Sequence, residues 1–284
     1  MQLATPSRTA LRVALRRAAH QLYDRPLVFA DPIAVPILGT TYAEELRRTP
    51  DPRPGDKARP YSIGMRAYLV ARSRYAEDSL ALAAKEGVTQ YVLLGAGLDT
   101  FAHRNPYPQL RVFEVDHPAT QAWKRNLLAQ SHLPAPANLV YAPVDFECES
   151  LPDRLLASGF DPSQKTFFAW LGVVPYLTLE AFRATIRFVA AQPPGSGIVF
   201  DYGQPRHVLS LREQLAFDSL AARVKLAGEP FQLFFTPHEV APELADFYNI
   251  EDIGSGELNS LYFADRTDQL RLLGGAARML SAWL

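Results

Sequence analysis

The chain has 284 residues, and its 29 Lys and Arg residues against 30 Asp and Glu residues give a formal net charge of −1 at pH 7. This balance argues against a protein that binds nucleic acid through a basic surface. Hydrophobic residues make up 48 % and charged residues 21 % of the chain, a composition that excludes disorder throughout. Cys148 is the only cysteine, which excludes disulfide scaffolds and multi-cysteine zinc sites and favours a reducing compartment.

The amino-terminal segment carries several arginines and has no acidic residue before Asp24. Its leucines recur at helical spacing, so an amphipathic helix is a better interpretation than a transit peptide. No run approaches the ~18 apolar residues of a membrane span, and the apolar core of a secretory signal is missing. We therefore expect a cytoplasmic protein that does not associate with membranes.

We expect a single domain over residues 1–284. Hydrophobic periodicity and proline placement divide it into three regions: 1–87, 88–203 and 204–284. In the first region, Asp31-Pro32 opens a helix-like run that Gly39 is placed to stop. Four prolines between residues 49 and 60 exclude regular structure there. A helix is predicted over residues 63–85.

The second region alternates short apolar runs with helical patterns. The runs are residues 91–94, 111–116, 139–144, 166–170 and 197–202, and the helical patterns occupy 117–130, 149–158 and 178–191. Such alternation indicates an α/β fold with a mostly parallel sheet covered by helices on both faces. In the third region we expect helices over 209–226 and after Thr236, and two further strands at 250–253 and 261–264, about seven strands in all.

Open parallel sheets bind ligands beyond the carboxyl ends of their strands, so the residues after each apolar run are the candidates for chemistry. The first run is followed by Gly95-Ala-Gly97-Leu-Asp99-Thr100, whose glycines let the backbone turn sharply and approach a ligand. A dinucleotide-binding fingerprint has glycine at position 100, so Thr100 disfavours a nicotinamide or flavin enzyme. The two glycines by themselves are equally consistent with a packing turn.

Acidic residues end the next two runs. Asp116 is placed to accept hydrogen bonds from a ribose diol, and Glu114 points to the same face of the sheet. A helix cap is an equally good interpretation of Asp116, because Pro118 follows at a first helical position. Asp145 and Phe146, after the third run, suit an adenine amino group and its ring face.

Three strings carry a family resemblance: Tyr91-Val-Leu-Leu-Gly-Ala-Gly-Leu-Asp-Thr100, Phe113-Glu-Val-Asp-His-Pro118 and Val144-Asp-Phe146. They resemble the leucine carboxyl methyltransferase family, a branch of the class I S-adenosylmethionine (SAM)-dependent methyltransferases. Further segments extend the resemblance over nearly the whole chain: Thr9-Ala10, Asp31-Pro32, Ala71-Arg-Ser-Arg-Tyr75, Gly228-Glu-Pro230 and Tyr262-Phe263. The resemblance implies a Rossmann-like fold with an N-terminal helical cap (1–87), a SAM-binding core (88–203) and a substrate-side segment (204–284), with SAM as the cofactor.

The resemblance also implies roles for single residues. The expected cofactor-binding residues are Arg72, paired with the SAM carboxylate, Gly95 and Gly97 beside the cofactor, Asp116 on the ribose, and Asp145 and Phe146 around the adenine. Arg17 is interpreted as a surface arginine. Leu171 departs from the pattern, because relatives carry a glutamate there, and any SAM contact of that acid is lost or supplied differently.

Methyl transfer from a sulfonium is an in-line displacement, in which the protein aligns the reactants and excludes water. A carboxylate acceptor is ionised at neutral pH and needs no base, whereas a hydroxyl does. The acceptor-side candidates are Tyr176, Asp201, Tyr202, Arg206 and His207. Arg206 and Tyr202 suit a carboxylate, and His207 suits hydroxyl chemistry. Four further aromatic residues belong to the core or line an apolar acceptor pocket with Tyr176: Trp170, Phe231, Phe234 and Phe235.

We therefore expect an enzyme, a SAM-dependent O-methyltransferase that methylates the carboxylate of a small molecule. Methylation of a protein or peptide C-terminal carboxylate, and SAM binding without turnover, remain alternatives. Neither nucleic acid nor a membrane is an expected partner, and no metal is expected, since His103 and His132 offer no ligand spacing. The sequence leaves the acceptor and the oligomeric state open.

Overall fold

The computed structural model describes residues 7–48, 63–145, 149–226 and 228–284. The helices are α1 (Arg8–Tyr23), α2 (Gly39–Arg48), α3 (Ile63–Lys85), α4 (Pro118–Gln130), α5 (Leu151–Ala157), α6 (Leu179–Ala190), α7 (Leu211–Leu226), α8 (Pro237–Val240) and α9 (Ser255–Tyr262). The strands are β1 (Gln90–Leu94), β2 (Arg111–Asp116), β3 (Leu139–Pro143), β4 (Thr166–Trp170), β5 (Gly197–Gly203), β6 (Tyr248–Ile253) and β7 (Ala277–Trp283). The predicted proline-rich loop at 49–60, Phe146 and Cys148 lie outside the described residues.

All seven strands form one sheet in the order β3-β2-β1-β4-β5-β7-β6. Strands β1 to β5 run parallel, whereas β7 pairs antiparallel with both β5 and β6. This confirms the prediction of a mostly parallel sheet flanked by helices. The strand order reverses at β1 and β4, and a ligand is expected in the crevice beyond the carboxyl ends of these two strands.

Two of three apolar clusters cover the faces of the sheet and explain why β1 and β4 are buried along their whole length. One cluster packs α3 and α9 on one face of the sheet, and a second packs α5 and α6 on the other. The third joins α1, α2 and α4. The strands read as continuous apolar runs because helices cover both of their faces.

A buried polar network fixes α1 against α3. Asp24, after the last residue of α1, accepts two hydrogen bonds from Arg66, at 2.8 and 2.7 Å, and its Oδ2 lies 2.7 Å from His20 Nδ1. His20 Nε2 accepts a hydrogen bond from the backbone N–H of Val28, at 3.1 Å. Burial acts to raise the pKa of Asp24, but the contacts with His20 and Arg66 outweigh burial and lower that pKa. The network therefore fixes the end of α1 against α3.

Two expectations about regular structure were wrong. Residues 261–264 are not a strand, because α9 runs to Tyr262 and the last strand is β7. The helix expected to stop at Gly39 is a 3₁₀ turn over Pro36–Leu38, and α2 starts at Gly39 itself, whose φ is +73°. The sequence did not predict α2, whose buried Ala43 and Leu46 belong to the apolar cluster shared with α1 and α4.

Candidate active site

A cavity of about 1090 Å³ opens at the carboxyl ends of β1, β2, β4 and β5. Helices α1, α3 and α7 contribute further lining residues, and so do the segments 228–234 and 272–277. The cavity therefore lies where the reversal of strand order predicts a ligand site. Its volume reaches the upper end of the range of roughly 300–1,000 Å³ common for small-molecule sites.

The turn after β1 requires glycine at two positions. Gly95 has a φ of +71°, and a Cβ atom there would clash with Val173 Cγ2. Gly97 has a φ of +49°, and its Cβ atom would lie 3.1 Å from Ala10 Cβ. A side chain at either position would combine a left-handed backbone with close contacts. The turn thus places bare backbone at the cavity.

Asp116 ends β2 and braces this turn. Its Oδ2 atom accepts a hydrogen bond from the Gly97 N–H at 2.6 Å, and its Oδ1 atom accepts one from the His117 N–H at 2.7 Å. Burial raises the pKa of Asp116, and the two backbone donors act against that shift. The helix-cap interpretation is wrong, because His117 is the N-cap of α4 and accepts a hydrogen bond from Ala119. Asp116 instead lines the cavity.

Arg72 reaches the cavity from α3 and pairs with a carboxylate at the end of β5. Its Nη1 atom donates to Asp201 Oδ2 at 3.0 Å, and the Tyr68 hydroxyl donates to the same oxygen at 2.6 Å. The Gly172 N–H donates to Asp201 Oδ1. Burial acts to lower the pKa of Arg72, but Asp201 raises it, so the guanidinium stays charged. Arg72 Nε is buried and has no hydrogen-bond partner among the described residues.

Arg17 is buried, and its interpretation as a surface residue is wrong. Its Nη2 atom donates to Asp31 Oδ2 and to Thr100 Oγ1, both at 2.6 Å. Burial acts to raise the pKa of Asp31, but the charges of Arg17 and Arg104 outweigh burial and lower that pKa. Thr100, which replaces a fingerprint glycine, is therefore part of a polar network that joins α1 to the turn after β1. Arg17 also lines the cavity.

The acceptor-side candidates divide into two groups. Tyr176 and Tyr202 line the cavity, although the Tyr202 hydroxyl is already committed to Asp252 Oδ2 at 2.6 Å. Arg206 is exposed, forms an ion pair with Asp218 at 2.8 Å and is not among the described lining residues. His207 is also exposed and is also not among the described lining residues.

Neither adenine-side candidate, Asp145 or Phe146, is found among the described residues that line the cavity. The backbone N–H of Asp145 donates to Glu149 Oε2 at 2.9 Å, and Asp145 is not among the described lining residues. Phe146 lies outside the described part of the chain, so the roles of both residues stay predictions. Leu171, at the position of the family glutamate, lines the cavity and packs against the core.

Sequence reasoning missed two cavity residues that contact each other. The Thr9 hydroxyl on α1 donates a hydrogen bond to Glu229 Oε2, across 220 positions of sequence. Both residues belong to segments that carry the family resemblance, Thr9-Ala10 and Gly228-Glu-Pro230, but nothing local in the sequence connects them. Of the expected aromatic residues, Phe231 and Phe234 line the cavity with Tyr176, whereas Trp170 and Phe235 are buried in the core.

Neither a metal centre nor a membrane span emerges from the part of the chain that the structure describes. No group of three or more His, Cys, Asp or Glu side chains there is arranged to hold a metal ion. Among those residues, no helix combines the length and apolar character needed to cross a bilayer.

Comparison with known structures places the fold. A "putative methyltransferase" from Thermobifida fusca YX aligns with a TM-score of 0.56 at 17 % identity, over 95 % of this chain and 93 % of its own. A DUF574 family protein from Streptomyces avermitilis aligns with a TM-score of 0.52, also at 17 % identity, over 78 % of this chain and 85 % of its own. The sheet and its helices thus define a class I methyltransferase fold.

Sequence comparison identifies the family. The model of the leucine carboxyl methyltransferase family matches residues 10–190. The "Putative S-adenosyl-L-methionine-dependent methyltransferase YktD" of Bacillus subtilis is 34 % identical over 93 % of both chains. A relative of the same description from Saccharopolyspora erythraea is 30 % identical, over 96 % of this chain and 94 % of its own. The chain belongs to the leucine carboxyl methyltransferase family and is a SAM-dependent methyltransferase.

Proposed function

We propose that the protein is an O-methyltransferase that methylates the carboxylate of a small molecule. Membership of a family of carboxyl methyltransferases supports the reaction. The contact between Thr9 and Glu229 supports the size of the acceptor, because it joins α1 to the segment after α7, and both of its residues line the cavity. A wall closed by such a link favours a small molecule over an extended peptide chain.

The cavity residues fit the cofactor on two observations. Gly95 and Gly97 line the cavity with bare backbone, so a ligand can approach the main chain there. Arg72 is charged and buried, and its Nε atom has no partner among the described residues, which leaves donor capacity for a carboxylate. We infer that Arg72 binds the methionine carboxylate of SAM and that Asp116 binds the ribose. SAM supplies a methyl group already activated by the sulfonium charge.

The remaining task of the protein is positional. An acceptor carboxylate has a solution pKa near ~4, so it is ionised at neutral pH and requires no general base. The side chains that line the cavity must exclude water and align the acceptor oxygen with the methyl carbon and the sulfur. The half-buried rings of Tyr176, Phe231 and Phe234 suit this task, since they present apolar surface beside the ends of β4 and β5.

Two measurements test this proposal. S-adenosylhomocysteine at one hundred times its Kd should stabilise the protein by about 2.7 kcal/mol in thermal unfolding, and NAD should not. Incubation with methyl-labelled SAM and a fraction of small acids should then give a product whose label is released by alkali, as carboxyl esters are. An alkali-stable product would refute the carboxylate acceptor, and a product confined to protein C-termini would refute the small-molecule acceptor.

A further inference from the structure

Four aromatic rings form one wall of the cavity, which we call the aromatic wall: Tyr176, Phe217, Phe231 and Phe234. The ring centroids of Tyr176 and Phe231 are 5.2 Å apart, and those of Phe217 and Phe234 are 5.3 Å apart. All four rings are only partly buried, unlike the core aromatic residues, so each keeps surface exposed. The wall therefore offers ring faces and edges to a ligand.

Hydrogen bonds to backbone carbonyls hold this wall in place. The Gln232 N–H donates to the Pro175 carbonyl at 2.7 Å, and Gln232 Nε2 donates to the Tyr176 carbonyl at 2.7 Å. The Phe235 N–H donates to the Gly203 carbonyl at 3.0 Å. The segment that carries Phe231 and Phe234 is thus tied to the ends of both β4 and β5, and the wall does not need to be assembled by its ligand.

Glu229 is an acidic group beside this wall, and no cationic side chain among the described residues forms an ion pair with it. Its carboxylate accepts a hydrogen bond from Thr9. The other cavity carboxylates differ, since Asp201 is paired with Arg72, Asp99 is paired with Arg17, and Asp116 binds two backbone N–H groups. Burial raises the pKa of the Tyr176 phenol, and the Glu229 charge acts in the same direction against a hydrogen bond with Thr9 that lowers the pKa, so the phenol remains protonated.

We propose that Glu229 and the aromatic wall form an acceptor subsite that binds an ammonium group carried on an apolar or aromatic body. A carboxylate beside aromatic faces attracts a cation in two ways, through its charge and through the ring quadrupoles. A second anion at this position would be repelled. The acceptor is therefore an amino acid or a related amine-bearing acid, whose carboxylate is the group methylated; this identification rests on the proposed function.

Two probes that differ in one group test the charge requirement. Tryptamine and tryptophol share the indole ring and chain length, but the first ends in an ammonium and the second in a hydroxyl. By calorimetry on protein saturated with S-adenosylhomocysteine, tryptamine should bind at least about tenfold more tightly, a difference of about 1.4 kcal/mol. Equal affinities, tighter binding of tryptophol, or no measurable binding of tryptamine would overturn the inference.

Variants assign the preference to Glu229. Glu229→Gln should weaken tryptamine binding about tenfold and leave tryptophol within twofold of wild type. Glu86→Gln, at an exposed carboxylate outside the cavity, is the matched control and should change neither affinity. Phe231→Leu should weaken both probes in parallel, since it removes part of the wall.

Two outcomes separate this subsite from the cofactor site. Glu229→Gln should retain the wild-type affinity for S-adenosylhomocysteine, and a tenfold loss would place Glu229 on the cofactor and overturn the inference. Preference for tryptamine that survives in Glu229→Gln would overturn it as well. If wild-type protein failed to bind S-adenosylhomocysteine at all, the proposed function would fail first, and the amine subsite with it.

Discussion

The substitution Asp116→Asn asks whether one carboxylate both braces the glycine turn and holds the cofactor. Each carboxylate oxygen accepts a hydrogen bond from a backbone N–H, one from Gly97 and one from His117. An asparagine side chain has a single oxygen, so its amino group would face one of these donors. A buried donor left without a partner costs about 1–3 kcal/mol, which we expect to appear as lower stability without ligand.

The effect on binding is separate and has its own magnitude. A hydrogen bond to a charged acceptor contributes about 1.5–3 kcal/mol, so losing the charge beneath the ribose should weaken S-adenosylhomocysteine binding about 10- to 100-fold. At a ligand concentration one hundred times the wild-type Kd, the wild type gains about 2.7 kcal/mol. A variant with a hundredfold weaker Kd gains only about 0.4 kcal/mol under the same conditions.

Thermal unfolding with and without ligand distinguishes the two effects, and calorimetry gives the Kd directly. Asp246→Asn is the matched control, because Asp246 is exposed and lies outside the cavity. We expect it to bind S-adenosylhomocysteine as the wild type does. An unchanged Kd in Asp116→Asn would falsify the assignment of Asp116 to the cofactor, whatever happens to stability.

Two further predictions concern buried ionisable side chains. Lys124 and Glu114 form an ion pair at 2.6 Å, and their side chains are 1 % and 0 % exposed. Lys124→Met would leave the buried Glu114 carboxylate without its partner and should lower the free energy of unfolding in urea by about 3–5 kcal/mol. A loss below about 1 kcal/mol would contradict this prediction. Burial, together with the Lys124 charge, lowers the pKa of His103 to about 4. As the pH falls below 6.5, the unfolded chain therefore binds a proton at this histidine before the folded chain does. The free energy of unfolding should decline from pH 6.5 towards pH 4 for this reason. His103→Phe should flatten this decline by about 2 °C in Tm, and an unaltered pH profile would show that His103 does not cause it.

The sequence alone determined the parallel part of the sheet. Strands β2 and β4 have the predicted bounds, and β1, β3 and β5 differ from theirs by one residue. Each of these strands is an apolar run flanked by turn residues, so a short stretch of consecutive residues is enough to predict a buried strand. Helix α3 also has the predicted bounds, because its apolar residues recur within one continuous segment.

The antiparallel edge was decided by pairing. Strand β7 fits beside β5 through a register that joins Gly197 to Trp283 and Gly203 to Ala277, about eighty residues apart. Its sequence has no strong alternation, and the run at 261–264 is as apolar, yet α9 extends into it. Strand formation at a sheet edge depends on the partner more than on intrinsic preference, which explains this error.

The site shows the same division. The sequence located the glycine turn and Asp116, because strand ends and turns are local features. It could not show that Arg17 is buried against Asp31 and Thr100, that Asp201 neutralises Arg72, or that Thr9 meets Glu229. These contacts join residues 14 to 220 positions apart, and the energy of a buried charge depends on which partner the fold brings to it. Only the tertiary structure therefore decides which of the charged side chains are free to bind a ligand.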